Sequence, residues 1–159
     1  MKVLIIAASD SDLGVMCSAC KVLDEFGVEY EMTISSAHRS PDRTRKLIEK
    51  AKTDEVKVII AGAGLAAHLA GAVAAEFSLP VIGVPIQAGA LEGIDSLLST
   101  LQMPPGIPVA TVAINGALNA GILAVQILAT SDKNLEDKLI AYKKKLAKGV
   151  EEKSRNLKK

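Results

Sequence analysis

The heptad Ser35-Ser36-Ala37-His38-Arg39-Ser40-Pro41 sets a histidine directly beside an arginine and behind a hydroxyl pair. His38 is one of two histidines in the chain. A histidine moves protons near neutral pH. An adjacent guanidinium holds an anion in a fork of donors. Together they suit acid–base chemistry on an anionic small molecule, although a turn that merely happens to be polar is the plainer reading of this stretch alone.

The elements on either side fix where this stretch sits. Val28 to Ile34 alternates apolar and polar residues as a strand does. Pro41 and Asp42 then open a helical pattern that runs to about Thr53. His38 and Arg39 therefore belong to a strand-to-helix turn, the place where α/β folds keep their ligands.

The same alternation runs through the chain. Strands are expected at Lys2–Ala7, Val28–Ile34, Val56–Ala61, Pro80–Val84 (closed by Pro85) and Ile107–Ile114. Between them lie helices from Asp12, read as an N-cap, to Phe26, from Pro41 to Thr53, from Leu65 to Phe77 and from Ile94 to Leu101. A further helix begins after Asn115-Gly116 and ends near Leu128, and a charged one runs from Asp132 to about Leu157. Strands alternating with helices predict an α/β fold, a flavodoxin-like three-layer αβα sandwich around a five-stranded parallel sheet in the order 2-1-3-4-5. The 159 residues read as one domain, with a C-terminal helical arm from about residue 132.

Composition narrows the function classes. A net charge of +1 gives no sign of nucleic acid or an anionic membrane surface. Aromatics make up 3% and tryptophan is absent, which weakens any stacking platform for flavin or single-stranded nucleic acid. No window reaches the ~18 uninterrupted apolar residues of a membrane span, and the N-terminal apolar run is short for a secretory signal. A cytoplasmic protein is expected. Cys17 and Cys20 form a lone C-x-x-C in the second turn of the first helix, with no second ligand pair for zinc. They read as small helix residues.

In a sheet of this order, ligands bind beyond the carboxyl ends of the strands, where strand order reverses. The turns meeting there offer Ser9, Asp10, Ser11 and Asp12, then Ser36, His38 and Arg39, then Gly62 and Gly64 with His68 beyond. Hydroxyls and backbone N–H groups at a helix start suit phosphate. Asp12 suits either a ribose diol or an N-cap. Gly62-x-Gly64 lacks the third glycine of the dinucleotide fingerprint, which excludes a nicotinamide site. A phosphoacceptor receiver would need an aspartate after the third strand, where Ala61-Gly62 stands. A small phosphorylated metabolite is the ligand class expected.

Several stretches then match one family in order and spacing: Ser9-Asp10-Ser11-Asp12, Ser36-Ala37-His38-Arg39-Ser40-Pro41, Ala61-Gly62-Ala63-Gly64 with Ala66-Ala67-His68-Leu69, and Asp95-Ser96-Leu97-Leu98-Ser99 with Gln102-Met103-Pro104. From Val3 to about Leu128 the chain resembles the N5-carboxyaminoimidazole ribonucleotide mutases of purine biosynthesis. The resemblance implies an octamer and a reaction without cofactor or metal, in which a carboxylate moves from the exocyclic amine of an imidazole ribonucleotide to the neighbouring ring carbon. It implies that His38 is the proton shuttle, that Ser9, Ser11 and Asp12 hold phosphate and ribose, that Ser36 and Arg39 bind ligand, and that Gly64, His68 and Leu69 line the base and carboxylate pocket.

The chain departs from the family at Ala8, where glycine is usual and where a positive φ would be strained by a Cβ. It also departs at Leu65, at Ala70 (usually proline), in Gln87-Ala88-Gly89-Ala90 and at Glu92. The sister carboxylases typically carry Gly-Arg-Ser-Asn where this chain has Gly64 to His68, so His68 favours the mutases. A nucleotide-binding sensor that has lost catalysis is the remaining alternative, and the intact His38 argues against it.

Overall fold

The computed structural model describes residues 2–157. Five parallel strands form one sheet in the order β2-β1-β3-β4-β5. They are β1 (Lys2–Ala7), β2 (Glu29–Ile34), β3 (Val56–Gly64), β4 (Val81–Ile86) and β5 (Ala110–Thr111). The helices are α1 (Leu13–Phe26), α2 (Pro41–Thr53), α3 (Leu69–Glu76), α4 (Ile94–Leu101), α5 (Ala117–Ala129) and α6 (Lys133–Asn156), with a short 3-10 turn at Asp10–Asp12. This is the flavodoxin-like α/β layout.

The three layers follow from strand alternation. Along β1, Val3, Ile5 and Ala7 point into one core, while Leu4 and Ile6 point into the other. The first core is closed by α1, α5 and the start of α6; the second by α2 and α3. A strand covered on both faces has to be apolar at every position, which is why Val3 to Ala7 reads as an unbroken hydrophobic run. Gly27 ends α1 in the left-handed region at φ 71°, and its N–H bonds the Asp24 carbonyl. At the other end of the chain, Asp132 caps α6 by accepting from Leu135 N at 3.1 Å.

The larger boundary differences from the sequence reading fall in four elements. β3 does not stop at Ala61: Gly62, Ala63 and Gly64 stay extended because they pair with Val84, Pro85 and Ile86. The third helix begins at Leu69 rather than Leu65, because Leu65 is left-handed at φ 55° and no helix passes through that conformation. β4 continues through Pro85. The Pro85 carbonyl faces the β5 side and accepts from Asn115 N at 2.8 Å, and no strand there asks for the N–H that proline lacks. β5 is two residues long, not eight: Pro108 cannot donate to a ladder, and beyond Thr111 only single bonds to β4 remain, from Val112 N to the Gly83 carbonyl and from Asn115 N to the Pro85 carbonyl.

Asp12 also departs from its expected role as a side-chain cap. It stands at the N-cap of α1 yet makes no capping bond, and its carboxylate is buried. Ala8 is not at positive φ, so its Cβ is unstrained.

Candidate active site

The His38 turn holds itself together. Ser40 N and Ser40 Oγ both donate to the Ser36 carbonyl, at 2.8 and 3.1 Å, and Ser36 N donates to Ser40 Oγ at 3.1 Å. Arg39 N donates to Ser36 Oγ at 3.2 Å. Beneath the turn, the buried Ser35 and Thr44 hydroxyls share a 2.9 Å hydrogen bond that ties it to α2. His38 and Arg39 themselves are left exposed on top of this braced loop.

The loop after β3 faces it. Gly64 approaches the β4 end so closely that a Cβ there would lie 3.0 Å from Ala88 Cβ and 3.2 Å from the Ile86 carbonyl oxygen. Leu65 turns the chain, Ala67 and Leu69 are buried, and His68 is left at the surface. The two histidines meet: His38 Nε2 lies 3.1 Å from His68 Nδ1, with ring centroids 5.1 Å apart.

The 3-10 turn after β1 closes the third side. Ser9 Oγ donates to Asp10 at 2.9 Å and Ser11 Oγ donates to Asp12 at 3.3 Å. Burial pushes the Asp12 carboxyl above the ordinary carboxylate range, against the lowering effect of Ser11. Exposed Asp10 is shifted the other way, chiefly by the Ser9 hydroxyl.

These three loops enclose an open cavity of about 490 Å³. Ser9, Ser11, Asp12, Ser36, His38, Arg39, Gly64, His68 and Leu69 all line it at the carboxyl edge of the sheet, whereas Asp10 and Gly62 do not. The sequence reading gave no role to Ala63 or Ala88, which form part of its apolar wall. Ala88 lies two residues past the end of β4, and its position at the same edge was the available signal. A cavity of similar size, about 480 Å³, lies at the opposite edge around Phe77 and Pro108, but its one ionisable side chain is Glu76. Among the described residues no cluster of three or more His, Cys, Asp or Glu side chains could hold a metal ion.

A family model described as AIR carboxylase matches residues 2–149. The chain belongs to the AIR carboxylase family. Two relatives named N5-carboxyaminoimidazole ribonucleotide mutase are similar over nearly the whole chain. The one from Pyrococcus horikoshii is 55% identical over 153 residues, 96% of this chain and 86% of that protein. The one from Thermotoga maritima is 53% identical over 156 residues, 98% and 91% of the two chains. A phosphoribosylaminoimidazole carboxylase from Candida glabrata is 51% identical over 153 residues, which are 96% of this chain but 27% of that longer protein. The crystal structure of Treponema denticola PurE superposes with a TM-score of 0.91 at 30% identity, covering 99% of each chain.

Proposed function

We propose that this AIR carboxylase family member is an N5-carboxyaminoimidazole ribonucleotide mutase, an isomerase of purine biosynthesis working in the cytoplasm. The observation that carries the reading is the single cavity where a histidine and an arginine face a hydroxyl-rich helix start across an apolar wall. The names of relatives more than half identical over nearly the full chain point the same way.

In this reading Ser9, Ser11 and the backbone N–H groups of the Asp10–Asp12 turn hold the phosphate. Asp12 accepts from the ribose diol. Ser36 and Arg39 hold the carboxylate end of the ligand. His38 gives a proton to the carbamate nitrogen as the C–N bond breaks and carbon dioxide is released. The gas waits against Ala63, Ala66 and Leu69. The ring carbon then attacks it, and the proton on that carbon returns to His38, so the proton balance closes without an outside acid or base. No step calls for a cofactor or a metal, and full activity after exhaustive chelation is the expected result.

A homo-oligomer, with the octamer as the working assembly, belongs to the same proposal. The alanine- and glycine-rich helices at residues 65–77 and 117–128 carry no charged side chain other than Glu76, a composition that suits burial against another subunit. In the fold Leu69, Ala70 and Val73 of α3 are buried, and the large exposed apolar side chains gather on α4, at Ile94, Leu98 and Leu101, with Leu91 just before it and Leu118 on α5. Light scattering at micromolar concentration is expected to find no monomer.

The deciding experiment supplies the carbamate ribonucleotide and follows the carbon-carboxylated product. Turnover is expected without added bicarbonate, and label from bicarbonate enters product only slowly in a single turnover. His38→Asn is expected to lower kcat by about 10²- to 10⁴-fold with ligand binding retained. The carboxylase reading, kept open by the resemblance to the Candida glabrata protein, replaces this one if the unsubstituted amine plus bicarbonate is the better substrate.

A further inference from the structure

A cluster of sulfur side chains lies outside the cavity. Cys20, on α1, donates its thiol hydrogen to the Met32 thioether of β2 at 3.3 Å. The two sulfurs are therefore in direct contact. Cys17 stands one helical turn before Cys20, and residues three apart are neighbours on a helix surface. Both cysteines are free; Cys17 is exposed and Cys20 is half-buried. The Cys20 thiol is pushed above its ordinary range first by burial and then by Cys17, so the two thiols feel each other. Three sulfurs from two elements thus converge beside β2, the edge strand of the sheet.

Two uses of such a pair can be separated by distance. A disulfide needs its Cβ atoms within about 3.5–4.5 Å, whereas a helix holds residues three apart with Cβ atoms about 5–6 Å from each other. Cys17 and Cys20 lie inside α1, with a full turn of helix before them, so closing that gap means distorting the helix. A bridging metal ion spans more: two metal–sulfur bonds of about 2.3 Å put the sulfurs up to about 4.6 Å apart. Helix spacing therefore suits a shared ion better than a disulfide.

The donors then select the ion. Among the described residues no third His, Cys, Asp or Glu completes a set with the two thiols. The third donor at hand is the thioether of Met32. Structural zinc takes four ligands, from thiolate, imidazole and carboxylate. Thiolate with thioether is the soft set that suits monovalent copper, an ion content with two or three ligands. Trigonal ligation with bonds of about 2.3 Å sets the sulfurs about 4 Å apart. Met32 has to back off slightly from its 3.3 Å contact, which its three rotatable bonds allow.

We infer that Cys17, Cys20 and Met32 form a binding site for a cuprous ion, with the two cysteines as thiolate ligands and Met32 as a weaker thioether ligand. The ion displaces both thiol protons to solvent, and nothing is oxidised or reduced. The loaded site carries one net negative charge. Lys21, four residues after Cys17, is placed on the helix surface to offset it. Asp24, the carboxylate that Cys20 feels, is held by the Tyr30 hydroxyl, which donates to it at 3.2 Å. Because its ligands come from a helix and a strand, the ion ties α1 to β2 and stabilises the folded chain that binds it. The site is independent of the reaction proposed for the cavity, since none of the three sulfurs lines it.

The test is an anaerobic titration of the whole, reduced protein with cuprous ion in competition with bicinchoninate, repeated in Cys17→Ser and Met32→Leu. One ion per chain is expected to pass from the chelator to the parent protein, with a thiolate-to-copper absorption band in the ultraviolet and a higher Tm. Cys17→Ser changes an exposed side chain, so it is expected to fold and to lose the transfer. Met32→Leu keeps the apolar packing and is expected to weaken the affinity about 10-fold with the band retained. Zinc ion offered to the parent protein against a chelator is expected not to be retained. The site is overturned by a parent protein that takes no cuprous ion from the chelator, by transfer undiminished in Cys17→Ser, by an affinity unchanged in Met32→Leu, or by retention of zinc. A Cys17–Cys20 disulfide formed readily in air by the folded protein, seen as a mass lower by two hydrogens, overturns the distance argument and replaces the metal site with a redox switch.

Discussion

The two histidine-bearing loops present the same side chain in opposite ways. The turn after β2 is stiffened from within: Ser36 and Ser40 exchange hydrogen bonds, and Ser35 and Thr44 anchor it to α2. The loop after β3 has no such bracing. His68 stands at the N-cap of α3 without a side-chain capping bond. What shapes that loop is steric: the close approach of Gly64 to the β4 end and the left-handed turn at Leu65. A hydrogen-bonded turn fixes where a proton donor points. A steric wall fixes how much room is left for the molecule it faces. The proposed division of labour, with proton transfer from the first loop and containment by the second, maps onto this physical difference.

The largest effect that can break the comparison is expected at Gly64. A methyl there must displace Ala88 or the Ile86 backbone, and β4 backbone does not yield cheaply. Gly64→Ala is expected to lower kcat/KM by about 10- to 100-fold through a misplaced wall, with circular dichroism unchanged. An unaffected kcat/KM would show that the spacing of this wall does not matter to the reaction.

On the braced side, Ser36→Ala removes the acceptor for Arg39 N and leaves the rest of the turn in place. The expected loss is about 1 kcal/mol of stability, which lowers Tm by about 3 °C in a chain of this length. KM is expected to rise as Arg39 loosens. A rise in KM with no change in Tm would mean that Ser36 serves the ligand and not the turn.

Asp12, across the cavity from both loops, gives a prediction with a pH sign. Its carboxyl is raised by burial above the ordinary value of 3.8, so the ionised form costs the folded state stability. Below the unfolded value the cost is absent. It grows as pH rises from there to the raised folded value, and it is constant above. Asp12→Asn is expected to stabilise the protein at neutral pH, with the gain vanishing in acid, while substrate binding weakens. Denaturant midpoints measured across pH test it. A gain that persists below the unfolded value would rule out ionisation as its source.

The contrast between the loops also explains what was legible in the sequence. Val3 to Ala7, Pro41 with Asp42, and Asp132 carry local signals that match their final states, so β1, α2 and α6 were readable. The His38 turn was readable for the same reason, since its bracing comes from its own serines. The other loop is shaped by partners distant in sequence. Gly62-Ala63-Gly64 has the composition of a turn but is held extended by β4, and nothing about a leucine announces a left-handed φ at residue 65. Strand order brought both histidines to one edge of the sheet, but their 3.1 Å contact depends on that irregular loop, which no periodicity encodes.

Leu65 sharpens the comparison with the smallest expected effect. Its φ of 55° is a conformation that asparagine tolerates far better than leucine, and holding an ordinary residue there costs about 1 kcal/mol or more. In return the side chain lies over Gly89, where a Cβ would sit only 2.7 Å from Leu65 Cδ2. Since Leu65 is 53% exposed, that contact contributes little, on the order of 0.5 kcal/mol. The two terms oppose each other and strain is the larger. Leu65→Asn is therefore expected to raise stability by about 0.5 kcal/mol, read as a higher guanidinium midpoint at unchanged slope. A loss of stability would reverse the ranking: the leucine would then be an anchor holding the residue 87–93 loop over the cavity wall, and the β3 loop would be braced after all, by packing in place of hydrogen bonds.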